Sequence, residues 1–330
     1  MSKSVSQAEL PPQKLRRALL QWFDHSRRDL PWRHSARRHD PYCVWISEIM
    51  LQQTRVAVVI PYYERFLERF PTVGDLAAAS EEEVLSLWSG LGYYRRARQL
   101  HAAARLIVSR DHGAFPRKHA EVLSLPGIGR YTAGAILSIA DGQCLPAVDG
   151  NVVRVASRLL GTSFKTPVAT ERAIAGWIDP ARPGDFNQAL MELGATVCLP
   201  RQPQCLTCPV HDLCRTRGEH PVTRPRARTI AVEEEYLLRT AGDRVWLVQR
   251  PPDAARMPGL WELPAGSNGT LLGSVKHAIT VHAIEARVYG VTSGRKPKEH
   301  GRWMEREEAL AAPLTGLTRK ILRRFLDWKA

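Results

Sequence analysis

Apolar residues recur at helical spacing through the first two-thirds of the chain, and prolines and glycines interrupt them at short intervals. These interruptions separate helices, because proline lacks a backbone N–H and glycine permits tight turns. No convincing alternation of apolar and polar residues, as in a half-buried strand, occurs before about residue 215. The first two-thirds is therefore predicted to be all-α. Its predicted helices cover residues 14–29, 43–69, 82–89, 95–110, 119–124, 131–141, 150–160, 170–178 and 186–197.

The composition changes at residues 217–230, where proline and arginine dominate and the apolar periodicity stops. Such a segment is typical of an interdomain linker, and a chain of 330 residues has room for about two domains. Beyond it, EEYLLRT and RVWLVQRP flank the turn AGD as in a β-hairpin, and HAITVHAIEARVYGV predicts one or two further strands. Residues 316–328 predict a closing helix, so the second domain is predicted to be α+β.

Lysine and arginine number 47 and aspartate and glutamate 33, so the formal net charge is +14. This excess predicts a polyanionic partner, most simply nucleic acid, although an arginine-rich composition is the alternative explanation. The chain has no run of about 18 apolar residues, as a membrane span requires. The N-terminal sequence lacks the features of a secretory signal. We expect a cytoplasmic protein, nucleoid-associated if bacterial, that acts as a monomer.

Four of the six cysteines lie within 17 residues, in the spacing C-x6-C-x2-C-x5-C, at Cys198, Cys205, Cys208 and Cys214. In a reducing compartment such crowding indicates metal binding, by zinc or an iron–sulfur cluster, rather than disulfides. The unequal gaps within one loop favour a single cubane cluster, while zinc and four unligated thiols remain alternatives. The loop also carries Arg201, Arg215 and Arg217, so a cluster could hold a basic surface against DNA. Cys43 and Cys144 are predicted to be buried as small apolar residues.

The segment Leu125-Pro126-Gly127-Ile128-Gly129-Arg130 separates two predicted helices. The proline ends the first helix, and the glycines permit a tight turn into the second. The backbone N–H groups of Gly127 and Gly129 would point outward at the start of a helix. There they could bind a DNA phosphate without reading the base sequence. An ordinary helix–helix turn is the alternative.

Two carboxylates stand in apolar surroundings. Asp149 precedes a predicted helix, where aspartate commonly caps the N-terminus, and it can also act chemically if it faces a cleft. Glu48 lies in a stretch that is apolar on nearly every side. Burial disfavours the charged form and raises the pKa of a carboxyl group. Glu48 is therefore a candidate general acid, because a glutamate protonated near neutral pH can donate its proton to a leaving group.

Several motifs together carry a resemblance to a known family. They are LPWR (30–33), SEIMLQQTRV (47–56), LGYYRRAR (91–98), LPGIGRYTAGA (125–135), VDGNVVRV (148–155), the cysteine loop and GLWELP (259–264). Over essentially its whole length the chain resembles the adenine DNA glycosylases of the MutY type, in the helix-hairpin-helix superfamily that also contains endonuclease III. The resemblance implies that the four cysteines hold a [4Fe–4S] cluster.

The resemblance also implies a domain arrangement. A helix-hairpin-helix catalytic domain would span residues 1–216, with a six-helix lobe at about 35–145 and an iron–sulfur lobe from 1–34 and 146–216. A linker would follow at 217–230, and a Nudix-like lesion-recognition domain at 231–330. The implied substrate is double-stranded DNA with adenine opposite 8-oxoguanine or guanine. A glycosylase for another base, such as thymine in a G·T mismatch, and a non-catalytic DNA-binding protein with a metal cluster are the alternatives.

The resemblance assigns chemical roles to four residues. Glu48 matches the general acid that protonates an adenine flipped out of the duplex. Asp149 matches the carboxylate that stabilises the oxocarbenium-like sugar, directly or through a transient covalent adduct. Tyr131 and Asn151 match residues that hold this site by hydrogen bonds.

Five further residues match positions that bind DNA in the family. Trp32, Arg33 and Gln188 fall where the adenine pocket is lined. Gln53 and Tyr93 match residues that enter the duplex near the base opposite adenine, where an inserted side chain would hold the gap open. For Trp32 and Tyr93, packing in the core is the alternative.

The residue at position 131 distinguishes bifunctional members of the superfamily from monofunctional ones. Bifunctional members such as endonuclease III carry a lysine there, which attacks the sugar and forms a Schiff base. This chain has Tyr131 instead, and no lysine lies between Lys118 and Lys165. A phenol cannot form an imine. The chain is therefore predicted to be a monofunctional glycosylase that leaves an abasic site in an intact strand.

The C-terminal region lacks the clustered glutamates of a Nudix hydrolase, so no metal-dependent pyrophosphatase activity is expected. The family's lesion-reading loop often has the form His-x-Phe-Ser/Thr-His. Here residues 277–282 read HAITVH, with Ile279 in place of the aromatic residue and the last histidine displaced by one position. Thr280 is the expected contact to 8-oxoguanine. GLWELP is expected to pack in the core or over the hairpin.

Overall fold

The computed structural model describes residues 10–164, 166–217, 229–279, 281–292 and 300–328. These residues form two compact units. The first unit contains residues 10–67 and 103–217, and the second contains residues 68–102 and 229–328. Most of the predicted linker, at 218–228, lies outside the described residues. Within the described part of the chain, no helix is both long and apolar enough to cross a bilayer.

The helices of the described residues follow the predicted pattern closely. In chain order they are α1 (Pro12–Ser26), α2 (Pro41–Leu51), α3 (Val56–Arg69), α4 (Val73–Ala78), α5 (Glu81–Trp88), α6 (Arg95–Asp111), α7 (His119–Leu123), α8 (Arg130–Asp141), α9 (Gly150–Leu160), α10 (Pro167–Ile174), α11 (Pro183–Thr196), α12 (Arg306–Ala311) and α13 (Gly316–Phe325). Up to residue 217 the described chain contains no strand, which confirms the all-α prediction. The predicted helix at 43–69 is two helices, because the chain turns at residues 52–55.

Helices α1, α9 and α11 surround one hydrophobic core of the first unit. Its buried members include Leu15, Leu19, Phe23, Val152, Val155, Leu159, Phe186, Leu190 and Leu193. Helix α8 packs against both α2 and α11. Since α2, α8, α9 and α11 meet in this unit, side chains from distant parts of the sequence can face one cavity.

Gly184 lets the start of α11 approach α8 closely. A Cβ atom at this position would lie 2.6 Å from the Cα of Ile139 and 2.6 Å from the carbonyl oxygen of Ser138. Both are backbone atoms, so they cannot move aside by a change of rotamer.

We expect Gly184→Ala to destabilise the protein by about 1–3 kcal/mol, as overpacking of a core does. The measurement is the free energy of unfolding in denaturant. Gly176→Ala is the matched control, because a Cβ at Gly176 meets nothing within 4 Å. Equal stabilities for the two variants would show that α8 and α11 are not packed this closely.

The second unit is built on a mixed sheet. Its strands are β1 (Ile230–Ala241), β2 (Arg244–Gln249), β3 (Trp261–Glu262), β4 (Thr270–Ile279), β5 (His282–Thr292) and β6 (Arg302–Glu305). They lie in the order β3-β2-β1-β5-β4, and β6 pairs with β2. The predicted β1–β2 hairpin is confirmed, and the second strand segment forms the antiparallel pair β4–β5. Strands β1 and β5 are parallel over their whole paired length.

Helices α12 and α13 complete the core of this unit with Ala309, Leu317, Ile321 and Leu322. The expectation that GLWELP packs in the core is confirmed, since Leu260, Trp261 and Leu263 are buried. The loop between α5 and α6 belongs to the same unit and is hydrogen-bonded within it. The hydroxyls of Ser89 and Tyr94 both donate to the carbonyl oxygen of Leu314, at 3.2 Å each.

Candidate functional site

A cavity of about 570 Å³ opens in the first unit. Its walls come from α2, α8, the first turn of α9, one face of α11, and the short turn at residues 31–33. Eight of the residues singled out in the sequence line it, namely Trp32, Arg33, Glu48, Gln53, Tyr131, Asp149, Asn151 and Gln188. The fold thus brings together residues that are up to 156 positions apart, as Trp32 and Gln188 are (188 − 32).

Glu48 lies in the second half of α2, with only 6% of its surface exposed. Its Oε2 accepts a 2.5 Å hydrogen bond from the Tyr131 hydroxyl. Burial raises the pKa of Glu48 to about 7, and the negative charge of Asp149 adds to this rise. The hydrogen bond from Tyr131 and the charge of Arg33 lower the pKa, but they do not outweigh burial. The predicted protonated glutamate is thus supported, because near neutral pH Glu48 carries a proton in about half of the molecules.

Tyr131 stands in the first turn of α8, directly after the glycine-containing turn. Its hydroxyl contacts Glu48 and also lies 3.3 Å from the sulfur of Met191. Burial, with the nearby charges of Glu48 and Asp149, raises the pKa of Tyr131 well above its usual value. Tyr131 is therefore a neutral donor that fixes the orientation of the Glu48 carboxyl group.

Asp149 is the N-cap of α9, as the local sequence suggested. Its Oδ1 accepts from the backbone N–H of Val152 at 2.7 Å, and its Oδ2 accepts from the side-chain amide of Asn151 at 2.8 Å. Burial raises the pKa of Asp149, and these two hydrogen bonds oppose the rise. Because Asp149 also lines the cavity, it serves as a helix cap and presents a carboxyl group to whatever occupies the cavity.

Arg154 continues this chain of hydrogen bonds beyond the cavity. Its guanidinium donates to the Asn151 side-chain oxygen at 2.9 Å, to the Gly194 carbonyl at 2.7 Å and to the Cys198 carbonyl at 2.8 Å. Gly194 packs against Asn151 so closely that a Cβ there would lie 2.6 Å from the Asn151 Cβ. The orientation of Asp149 is thus connected to the first cysteine of the loop.

An ion-pair cluster closes another side of the cavity. Arg28 and Arg33 both pair with Glu192, at 2.7 and 2.9 Å, and Glu192 is 1% exposed. Burial raises the pKa of Glu192, but the hydrogen bonds from Arg28 and Arg33 outweigh it, so the net pKa is lowered. Arg33 also donates to the Gln188 side chain at 3.1 Å. The sequence analysis missed Glu192 and Arg28, although Glu192 lies four residues after Gln188 and so on the same face of α11.

The turn between α7 and α8 has the predicted form. Gly127 adopts a left-handed conformation with φ of 78°, which a side chain would disfavour. Gly129 is the N-cap of α8 and provides no side-chain cap. The first N–H groups of a helix have no partner within the helix. The turn therefore has the backbone geometry that suits a phosphate group.

The other predicted binding residues are Tyr93, Thr280 and Gln53. Tyr93 belongs to the second unit, where it has a left-handed φ of 51° and is 45% exposed, so packing in the core does not describe it. Thr280 lies outside the described residues. Gln53 lines the cavity with a left-handed φ of 57°.

The four clustered cysteines line one small pocket together with Arg158 and His211. Arg158 is buried and donates to the Cys198 sulfur at 3.2 Å and to the carbonyls of Leu199 and Pro200. Among the described residues, no three histidine, cysteine or acidic side chains are arranged to hold a single metal ion. Of the other two cysteines, Cys43 is buried as predicted. The prediction for Cys144 is wrong: it is exposed, because it lies in the loop that follows α8.

Residues 46–180 match the HhH-GPD superfamily of base excision DNA repair proteins. The mouse adenine DNA glycosylase is 37% identical over 402 residues, which span 94% of this chain and 77% of the mouse protein. The human adenine DNA glycosylase is 52% identical over 61% of this chain and 39% of its own length. The Arabidopsis thaliana enzyme is 40% identical over 78% of this chain and 48% of its own.

Solved structures are similar over about two-thirds of the chain. A thermostable thymine-DNA glycosylase matches with a TM-score of 0.58 and 30% identity, covering 63% of this chain and 97% of that one. A trapped covalent intermediate of endonuclease III with DNA matches with a TM-score of 0.55 and 26% identity, covering 64% and 98%. Taken with the sequence relatives, these likenesses show that the chain belongs to the adenine DNA glycosylases, within the HhH-GPD superfamily of base excision repair proteins.

Proposed function

We propose that the protein hydrolyses the N-glycosidic bond of adenine mispaired with 8-oxoguanine, and less efficiently with guanine, in duplex DNA. One observation carries the proposal: Glu48 and Asp149 line the same cavity, and the pKa of Glu48 is raised to about 7. The site therefore holds a proton donor beside a second carboxyl group. This pairing is the requirement for breaking a glycosidic bond through an oxocarbenium-like state.

The reaction begins with adenine outside the base stack, because chemistry on a stacked base is not possible. In the cavity, Glu48 donates its proton to N7 of adenine. The electrons of the C1′–N9 bond then move into the protonated base, which leaves as neutral adenine. Tyr131 donates to the Glu48 carboxyl group and orients it for this transfer.

Bond breaking leaves positive charge on the sugar. The Asp149 carboxylate, held by Val152 and Asn151, faces that charge and stabilises it. Water adds its oxygen to C1′ and releases a proton, which restores the acid form of Glu48. The products are free adenine and an abasic site in an unbroken strand.

Sodium borohydride is expected to trap no covalent complex between this protein and DNA. Tyr131 occupies the position where bifunctional relatives carry a lysine, and a phenol cannot form the imine that borohydride reduces. The measurement is a denaturing gel of protein, substrate duplex and borohydride. Tyr131→Lys is the control, since it places an amine at the same site. Efficient trapping by the parent protein would contradict monofunctional hydrolysis.

The single-turnover rate is expected to fall as the pH rises through about 7, by about tenfold per unit, because the protonated fraction of Glu48 falls. At low pH the rate falls again once Asp149 is protonated, and because burial raises the pKa of Asp149, this loss begins at a higher pH than it would for an ordinary aspartate. Tyr131→Phe removes the hydrogen bond that lowers the Glu48 pKa. In this variant the fall of the rate at high pH should therefore begin at a higher pH than in the parent. A rate independent of pH above neutrality would exclude Glu48 as the acid.

We propose further that the four clustered cysteines hold a [4Fe–4S] cluster. One feature supports it: the four cysteines line one pocket. Four thiolates are the usual ligands of an iron–sulfur cluster. A bound cluster would crosslink the loop and fix the exposed Arg201, Arg215 and Arg217 against DNA phosphates. Purified protein should be brown, whereas a zinc protein would be colourless.

We also propose that residues 231–330 form a Nudix-like domain that reads 8-oxoguanine. The mixed sheet with α13 against it is compatible with this interpretation. In the proposed lesion-reading segment at 277–282, residues 277–279 end β4 and His282 begins β5, and Thr280 lies outside the described residues.

A mismatch panel tests the proposed function. Duplexes carry adenine opposite 8-oxoguanine, guanine, cytosine or thymine, and one carries thymine opposite guanine. The last is included because a similar solved structure is a thymine-DNA glycosylase. We expect fastest release of adenine opposite 8-oxoguanine and no thymine release. Preferential thymine release would favour the alternative, and no release from any duplex would favour a binding protein.

A further inference from the structure

The loop between α5 and α6 holds Tyr93 in an unusual conformation. Gly92 and Tyr93 are both left-handed, with φ of 78° and 51°. Few residues other than glycine adopt this conformation, so surrounding contacts must maintain it at Tyr93. Two donors converge on the carbonyl oxygen of Gly92: the Trp88 indole N–H at 3.0 Å and an Arg96 guanidinium nitrogen at 3.2 Å. The turn is therefore fixed directly beside Tyr93.

Arg96 connects the exposed ring of Tyr93 to the core. Its guanidinium carbon lies 5.3 Å from the centroid of the Tyr93 ring and 5.4 Å from that of the Trp88 ring. Trp88 is fully buried, and Arg96 is 8% exposed. Burial lowers the pKa of Arg96 to about 10, so the side chain is still charged at neutral pH. Tyr93 is held by a cation yet is 45% exposed, which leaves ring surface for a partner.

We propose that Arg96 is a positioning residue, which holds the Tyr93 side chain in the orientation required to enter the DNA duplex. The inference rests on the proposed function, and it takes from the family resemblance that Tyr93 enters the duplex near the base opposite adenine. If the Tyr93 side chain were free to rotate, stacking a base on it would cost the conformational entropy of fixing one rotamer. Arg96 orders the ring in advance, through its cation and through the fixed Gly92 turn. Since Arg96 is buried, it acts through Tyr93 rather than on the DNA.

A double-mutant cycle between positions 93 and 96 tests this inference. The proteins are the parent, Tyr93→Ala, Arg96→Met and the double variant. The DNA carries a 2′-fluorinated deoxyadenosine, which resists cleavage, opposite 8-oxoguanine, and a fully matched duplex is the reference. Two readouts are taken: the ratio of the two dissociation constants, and the fluorescence of 2-aminopurine placed beside 8-oxoguanine, which rises when that base is unstacked.

Arg96→Met should reduce the preference for the mismatch by roughly 5- to 30-fold and reduce the 2-aminopurine signal. In the Tyr93→Ala background the same change should have no further effect, because the ring that Arg96 positions is absent. An equal loss in both backgrounds would overturn the inference, since Arg96 would then act independently of Tyr93.

Further variants separate positioning from stability and net charge. Arg96→Lys keeps the cation and should recover at least half of the mismatch preference that Arg96→Met loses, on a logarithmic scale. If both variants are folded and lose the same mismatch preference, the inference is overturned. Should Arg96→Met not fold, Arg96→Lys carries the same cycle. Arg105→Met removes an exposed charge from the same helix, and any loss it causes should be equal with Tyr or Ala at position 93.

Failure of this inference is distinguishable from failure of the proposed function. Adenine release by the parent protein tests the function separately. A Tyr93→Ala variant that binds the mismatch as tightly as the parent overturns the inference about Arg96, even where the parent releases adenine.

Discussion

Glu48→Gln is expected to abolish nearly all adenine release while the affinity for mismatched DNA stays close to that of the parent. The amide has the shape of the acid and can still accept from Tyr131, but it cannot donate an acidic proton to adenine. Loss of a general acid slows reactions by roughly 100- to 10,000-fold. The measurement is the single-turnover rate of alkali-labile site formation, with the dissociation constant taken from anisotropy on an uncleavable duplex.

The control for this variant is Glu64→Gln, which removes one exposed carboxylate from α3 in the same unit. It should cleave at the parent rate. Were Glu48→Gln to cleave as fast as this control, Glu48 would have no place in the mechanism. A loss of both cleavage and binding would instead indicate damage to the cavity.

Asp149→Asn should reduce adenine release by roughly 100- to 1,000-fold, the range found when fixed electrostatic stabilisation of a transition state is removed. Asparagine caps helices as well as aspartate does, so α9 should stay intact. The variant therefore removes the negative charge opposite the sugar while keeping the cap. The single-turnover rate and the thermal unfolding midpoint are measured together.

Asp40→Asn is the matched control, because Asp40 caps α2 by accepting from Tyr42 and Cys43 and does not line the cavity. It should have little effect on the rate. If Asp149→Asn retained the parent rate with an unchanged unfolding midpoint, Asp149 would be a structural cap alone.

Much of this site could be predicted from local sequence. Glu48 is surrounded by apolar residues, so its burial and its raised pKa followed from the sequence, and the structure agrees. Asp149 precedes a helix, and its capping role also followed. The positions of the helices could be predicted from the spacing of the apolar residues and from the prolines and glycines that interrupt it. All of these features depend on neighbours within about one or two helical turns.

Other features depend on contacts between distant residues, which periodicity does not encode. Glu192 pairs with Arg28 and Arg33, more than 150 positions away, and no local signal indicates the partners. The parallel pairing of β1 with β5 joins strands separated by three others in sequence. Helix α4 was missed, although the capping box formed by Thr72 and Asp75 at its start is a local signal that could have found it.

The central claim is that Glu48 and Asp149 face one flipped nucleotide from two sides. A crystal structure of the protein on a duplex with 2′-fluorinated deoxyadenosine opposite 8-oxoguanine tests it most directly. We predict the adenine in the cavity, a Glu48 carboxyl oxygen about 2.6–3.2 Å from N7, and the Asp149 carboxylate beside C1′. An adenine still stacked in the duplex, or either carboxyl group far from that nucleotide, would contradict the claim.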